Sequence, residues 1–129
     1  GMAAVFLAGF GLQSGDGEAL RLGHQLLRLN THGADAQFND PDSVQICKFG
    51  WGAAAMQCAD DSIDYTPWLI RLADWFIARQ SPDGSWMPSA FQTPKPDDIH
   101  RLLKTAEHGM EVSALLVALA RAKARHQLQ

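Results

Sequence analysis

Apolar residues recur along this chain at helical spacing, and no stretch of strand-like alternation interrupts them. Residues 2–12 are an apolar run that predicts a first helix, ended by Ser14-Gly15-Asp16-Gly17. Leu20, Leu22, Leu26, Leu27 and Leu29 predict a second helix over 17–31. Residues 32–43 are rich in Gly, Asp, Asn and Pro and read as a turn region. A third helix is expected over 44–59 with Ser43 as its N-cap, and a fourth over 67–80 with Thr66 as N-cap and Pro67 at N1. Residues 81–97 hold four of the six prolines and must be loop. A last helical region is expected from about 98 to 125. The class is therefore all-α, built of antiparallel helical hairpins in one domain over 2–129.

Two of the helices carry further information. The 67–80 helix is apolar nearly all round, through Trp68, Leu69, Ile70, Leu72, Trp75, Phe76 and Ile77, which predicts cover on most sides. The 44–59 helix is rich in small residues, with Gly50, Gly52, Ala53, Ala54, Ala55 and Ala59. Small residues let a neighbouring helix come close or leave room for a cavity. A degraded repeat of about fifty residues joins these segments, one copy over 17–59 and one over 67–122. Asn30 stands fifty residues before Gln80; Ala36 stands where the aromatic Trp86 would repeat, with Phe38 two residues on.

Residues 71–86 carry a recognisable motif. A basic residue, Arg71, precedes Trp75, Gln80, Gly84 and Trp86, and the chain turns at Pro82-Asp83-Gly84. This stretch resembles the QW repeat of the terpenoid cyclase and protein prenyltransferase superfamily, with Leu72 where a small residue is usual and Phe76 where an aliphatic is usual. The resemblance implies a partial α/α toroid in which 17–31 and 67–80 are outer helices and 44–59 and about 104–122 are inner ones. It also implies a structural role for the motif, so Gln80 and Trp86 should meet one another or the same helix end. A complete toroid has about a dozen helices. This chain has about five, so it is read as a fragment or small relative that closes its open edge against another copy or another α/α domain.

Composition narrows the function without naming it. The chain has 129 residues, is 47% hydrophobic and carries a formal charge of −3 with mixed signs, which gives no basic surface for nucleic acid. The cluster Arg121, Lys123, Arg125 and His126 reads as a helix end favoured by the macrodipole. No segment reaches the ~20 apolar residues of a membrane span. Gly1 before Met2 reads as a protease scar, and the uncharged start lacks the positive region of a signal peptide. Cys47 and Cys58 lie three turns apart on one predicted helix, roughly 16 Å, too far for a disulfide. They are expected as buried thiols in a reducing, cytoplasmic setting.

Candidate chemistry is sparse. Asp60-Asp61-Ser62-Ile63-Asp64 spells a DDxxD, but it stands at a helix end before Thr66-Pro67 and no second metal motif accompanies it, so it reads as a turn. The DxDD acid motif of the cyclases is absent. Glu107, His108 and Glu111 form the densest ionisable cluster and are weak catalytic candidates, with a helix first turn capped by Thr105 as the competing reading. Gln45, Lys48, Phe49 and Trp51 begin the other inner helix and are weak ligand-binding candidates, with core packing as the alternative. His24, His32 and His100 have no ligand partner at a trusted spacing. No metal site and no cofactor are expected. The first functional reading is a non-catalytic ligand-binding or assembly module, self-associating as a homodimer and able to hold an apolar small molecule. A cyclase- or prenyltransferase-like enzyme acting on an isoprenoid and a carbohydrate-active α/α-barrel fragment are the alternatives. Carboxylates facing each other across a cleft would favour the last, a dry aromatic cavity the isoprenoid, and a filled core the module.

Overall fold

The computed structural model describes residues 1–31, 34–40, 45–89, 93 and 95–127. Among them are six helices and no strand: α1 (Met2–Ser14), α2 (Gly17–Thr31), α3 (Ala34–Asn39), α4 (Gln45–Ala59), α5 (Thr66–Arg79) and α6 (Asp98–Gln127). The five segments expected from periodicity are all helices, α2 with the expected bounds and the others within two residues of them. The turn-rich 32–43 segment departs from expectation, because it contains the short helix α3, and Phe38 on it is buried. Phe38 stacks on Trp68 of α5, and the Arg71 guanidinium lies 4.0 Å from its ring centroid. Ala34, Ala36 and Gln37 favour a helix between the flanking turn residues, and burial of the Phe38 ring anchors it. The expected N-cap Ser43, like His32, lies outside the described residues.

Helix ends follow local chemistry. Gly15 adopts the left-handed conformation that closes α1, with φ 71°. Asp16 then caps α2, its Oδ1 accepting from the backbone N–H of Glu18 at 2.9 Å and of Ala19 at 3.2 Å. Thr66 is not the cap of α5. The turn before it is held by Asp64, whose Oδ1 accepts from the Thr66 N–H at 2.9 Å, and by Gln57, whose Oε1 accepts from the Tyr65 N–H at 2.7 Å. Asp60 closes the same turn by accepting from the Ser62 N–H at 3.0 Å. The aspartates of the DDxxD stretch are thus turn residues, and Asp61 pairs with Arg125 of α6 at 2.7 Å.

Helix α4 is the hub, packed against each of the other five. Its small residues permit the close approach. A methyl added to Gly52 would meet the Ala4 Cβ of α1 at 3.2 Å, and one added to Gly50 would meet Leu72 Cδ2 of α5 at 1.7 Å. The pairings fix direction. Cys58 and Asp61 at the end of α4 meet Arg121 and Arg125 near the end of α6, while Lys48 near its start meets Glu107 and Glu111. So α4 and α6 run parallel. The start of α1 lies against Lys48 and Gly52, and Leu7 lies further along, near Gly23 and Met56, so α1 runs parallel to α4 as well. Gly11 opposite Leu20 and Leu7 opposite Gly23 make α2 antiparallel to α1. Helix α5 is antiparallel to α4, with Thr66 at Gln57 and Trp68 at Phe49. Three parallel helices are linked by two antiparallel ones.

One cluster of side chains forms the core, including Leu27, Ile46, Phe49, Ala53, Met56, Leu69, Leu72, Phe76 and Leu115. The 67–80 region is less covered than its sequence predicts: Leu69, Leu72, Trp75 and Phe76 are buried, but Ile70 and Ile77 are exposed. Helix α1 is turned the opposite way from an ordinary amphipathic helix. It buries its small residues Ala4, Ala8 and Gly11 and exposes Met2, Phe6, Phe10 and Leu12. No helix among the described residues is long and apolar enough to cross a membrane.

Candidate functional site

The motif at 71–86 builds one wall of the site. Trp86 is buried, and its Nε1–H donates to the Phe76 carbonyl in the last turn of α5 at 3.0 Å. Gln80, the C-terminal cap residue of α5, donates from Nε2 to the Gly84 carbonyl at 2.9 Å. Gly84 has φ 84°, a conformation that L side chains rarely adopt. Trp86 and Gln80 therefore serve the same helix end by different bonds, the indole on the helix and the amide on the turn. Thr105 joins the wall to α6: the Trp86 N–H donates to its Oγ1 at 3.0 Å, and that hydroxyl donates to the Arg101 carbonyl at 2.8 Å. Thr105 is consequently a mid-helix residue, since α6 begins a full two turns earlier, and the expected first turn at Glu107 is absent.

His108 lies inside this wall, 5% exposed. Trp75, Phe76 and Trp86 meet its ring edge-to-face at centroid distances of 6.0, 5.1 and 5.9 Å. The indole N–H of Trp75 finds no acceptor among the described residues. His108 Nδ1 is 2.7 Å from Glu111 Oε2 on the next turn of α6, and Glu111 is 1% exposed. The other oxygen of Glu111 accepts from Lys48 Nζ of α4 at 2.6 Å. Lys48 also donates to Glu107 Oε1, and Lys104 donates to Glu107 Oε2 at 2.5 Å. A chain of hydrogen-bonded ionisable side chains thus runs from half-buried Lys48 and Glu107 inward to Glu111 and His108.

Electrostatics follow from that chain. Burial pushes the Glu107 carboxyl upward, but hydrogen bonds and charge from Lys104 and Lys48 outweigh it and hold the group at about 2. Burial alone would lower Lys48; its bonds to Glu107 and Glu111 raise it above the ordinary lysine value. Cys47 stands beside this network, 2% exposed, and burial together with the Glu111 charge pushes its thiol up to about 12. Cys47, His108 and Glu111 each offer a ligand atom, and these atoms all lie within 4.8 Å of one another. They could hold a metal ion. No local spacing reveals the set, because its thiol lies sixty-one residues from the imidazole and only the parallel packing of α4 on α6 joins them.

The remaining candidates separate. Lys48 joins Glu107, His108 and Glu111, as above. Gln45 is exposed and, with Asn30, Lys48 and Glu107, lines a cleft of about 400 Å³. Phe49 is a core residue, edge-on to Trp68 at 5.8 Å, and Trp51 is half-buried with Lys48 Nζ 5.9 Å from its ring. Cys58 is half-buried and, like Cys47, forms no disulfide.

A second buried histidine was missed for want of a local partner. His24 of α2 sits with Nδ1 2.8 Å from the Tyr65 hydroxyl and Nε2 3.0 Å from Asp60 Oδ2. Burial raises Tyr65 to about 12. His24, Asp60 and Ser62 line a separate cleft of about 320 Å³ with Arg21 and Arg28. No protein-family model, no curated protein and no solved structure matches this chain.

Proposed function

We propose that this chain is a non-catalytic assembly module of α/α-toroid type that docks through the outer face of α1. The inverted packing of α1 carries this reading. Its buried side is Ala4, Ala8 and Gly11; its outward side is Met2, Phe6, Phe10 and Leu12, with Phe6 69% and Leu12 63% exposed. Phe6 and Phe10 stack on one another at 6.1 Å. Met2, Phe6 and Phe10 share one side of the helix, and burying one Phe or Leu contributes about 1.5–3 kcal/mol. Helices α1, α4 and α6 take the role of parallel inner helices, and α2 and α5 that of outer ones. A ring with so few pairs leaves two flanks open, at α1 and at α6, where Leu102, Leu103 and Met110 are exposed. A two-fold dimer about α1 covers the same patch on both copies.

The other readings have less support. The aromatic box of Trp75, Phe76 and Trp86 is filled by His108, so the box itself has no room for an isoprenoid chain. Glu107 and Glu111 share one helix face and one lysine, so they do not oppose each other as glycosidase carboxylates do. For ligand binding, the cleft at Gln45, Lys48 and Glu107 has a charged wall that suits a polar molecule better than an apolar one.

Light scattering over a dilution series tests the assembly reading. A mass near twice 14.1 kDa is expected, reverting to 14.1 kDa in a Phe6→Lys/Phe10→Lys variant that keeps its helix content. A wild-type mass of 14.1 kDa at every concentration would remove it.

A further inference from the structure

We propose that Cys47, His108 and Glu111 form a binding site for a zinc-type transition-metal ion that ties α4 to α6. Each of the three side chains is more than nine-tenths buried, and their ligand atoms lie within 4.8 Å of one another. His108 and Glu111 stand one turn apart on α6 and Cys47 faces them from α4. The ion therefore joins two helices rather than decorating one.

Donor chemistry selects the ion. One thiolate, one imidazole and one carboxylate suit zinc or cobalt and discriminate against calcium and magnesium, which take oxygen ligands. Metal–ligand bonds of about 2.0–2.3 Å place tetrahedral donors roughly 3.3–3.7 Å apart. The 2.7 Å contact between His108 and Glu111 must open slightly and the widest separation must close by about 1 Å, within reach of side-chain rotation. On binding, the Cys47 S–H bond breaks, the sulfur–metal bond forms and the proton leaves to solvent. Thiolate and carboxylate together neutralise the dication.

The surroundings hold the donors in place. Lys48 fixes one Glu111 oxygen at 2.6 Å and leaves the other toward His108. The rings of Trp75, Phe76 and Trp86 box the imidazole and exclude water. Such outer partners orient ligands and set the polarity around an ion. Three protein donors leave a fourth position on the ion.

Cobalt titration of the full, reduced chain tests the site. One equivalent of Co²⁺ should bind with a thiolate-to-cobalt charge-transfer band and intense four-coordinate visible bands, both displaced by Zn²⁺. Cys58→Ser should leave the spectrum unchanged, Cys47→Ser should remove the charge-transfer band, and His108→Gln or Glu111→Gln should weaken zinc about tenfold or more. Buried-site variants can unfold, so X-ray absorption on the zinc-loaded wild type gives the second readout: one sulfur with nitrogen and oxygen neighbours. No charge-transfer band at saturating cobalt would overturn the proposal. So would a band that survives in folded Cys47→Ser, or a zinc spectrum with no sulfur or two. The oligomeric state plays no part in either readout, so this site stands or falls apart from docking by α1.

Discussion

Two buried histidines, each beside a carboxylate, do different work in this chain. His24 satisfies both ring nitrogens, one on the Tyr65 hydroxyl and one on Asp60, whose side chain is partly open to solvent. Its partners belong to the turn between α4 and α5, so the histidine acts as a bolt that holds that turn on α2. His108 bonds to a carboxylate sealed from water, which a lysine holds from the other side, and a thiol completes the group. The same residue type is structural where its neighbours exhaust its bonding and solvent is close. It becomes a ligand candidate where a second and third donor share its pocket.

Replacement of the two carboxylate partners separates these roles most sharply. Glu111→Ala takes the carboxylate from buried His108 and one of two partners from half-buried Lys48, and should cost about 3–5 kcal/mol in urea unfolding. A loss under about 1 kcal/mol would mean the pocket repacks or admits water. Asp60→Ala touches a half-open partner and should cost far less, about 1 kcal/mol. The Tyr65 side should lie between these values. Tyr65→Phe strips the hydroxyl from His24 Nδ1, and a buried polar atom left without a partner costs about 1–3 kcal/mol. Equal losses at Asp60 and Glu111 would erase the contrast.

Acidity gives the gentlest probe. The folded Glu107 carboxyl is depressed to about 2, so its contribution is fully present above the unfolded value near 4.5. It fades as pH falls between those values, and solvent screening of this partly exposed carboxyl holds the loss to about 1–2 kcal/mol. Unfolding free energy should therefore drop across that window in the wild type, and the drop should shrink in Glu107→Gln. A pH slope that Glu107→Gln leaves untouched would assign the acid sensitivity elsewhere.

Residue order alone determined most of the secondary structure. Apolar spacing marked the long helices, Gly15 and the proline-rich 81–97 segment marked breaks, and the spacing from Trp75 to Trp86 located a turn whose bonds are local. All of these depend on interactions within a few residues, which are written in the order of the chain. The aspartates at 60, 61 and 64 were legible as turn formers for the same reason. Tertiary structure decided the rest. Helix α3 joins helix formers that the turn residues around it obscured, Ala34, Ala36 and Gln37, to a contact remote in sequence, Phe38 against Trp68 and Arg71 on α5. Thr105 lost its expected capping role because α6 begins at Asp98, and its hydroxyl instead accepts from the Trp86 N–H. The inward side of α1 was settled by close approach: only its small residues fit against Gly52, so the large apolar ones face outward. Cys47, His108 and Glu111 became neighbours only when α4 and α6 packed in parallel, since periodicity records which face of a helix is apolar and not which helix will cover it.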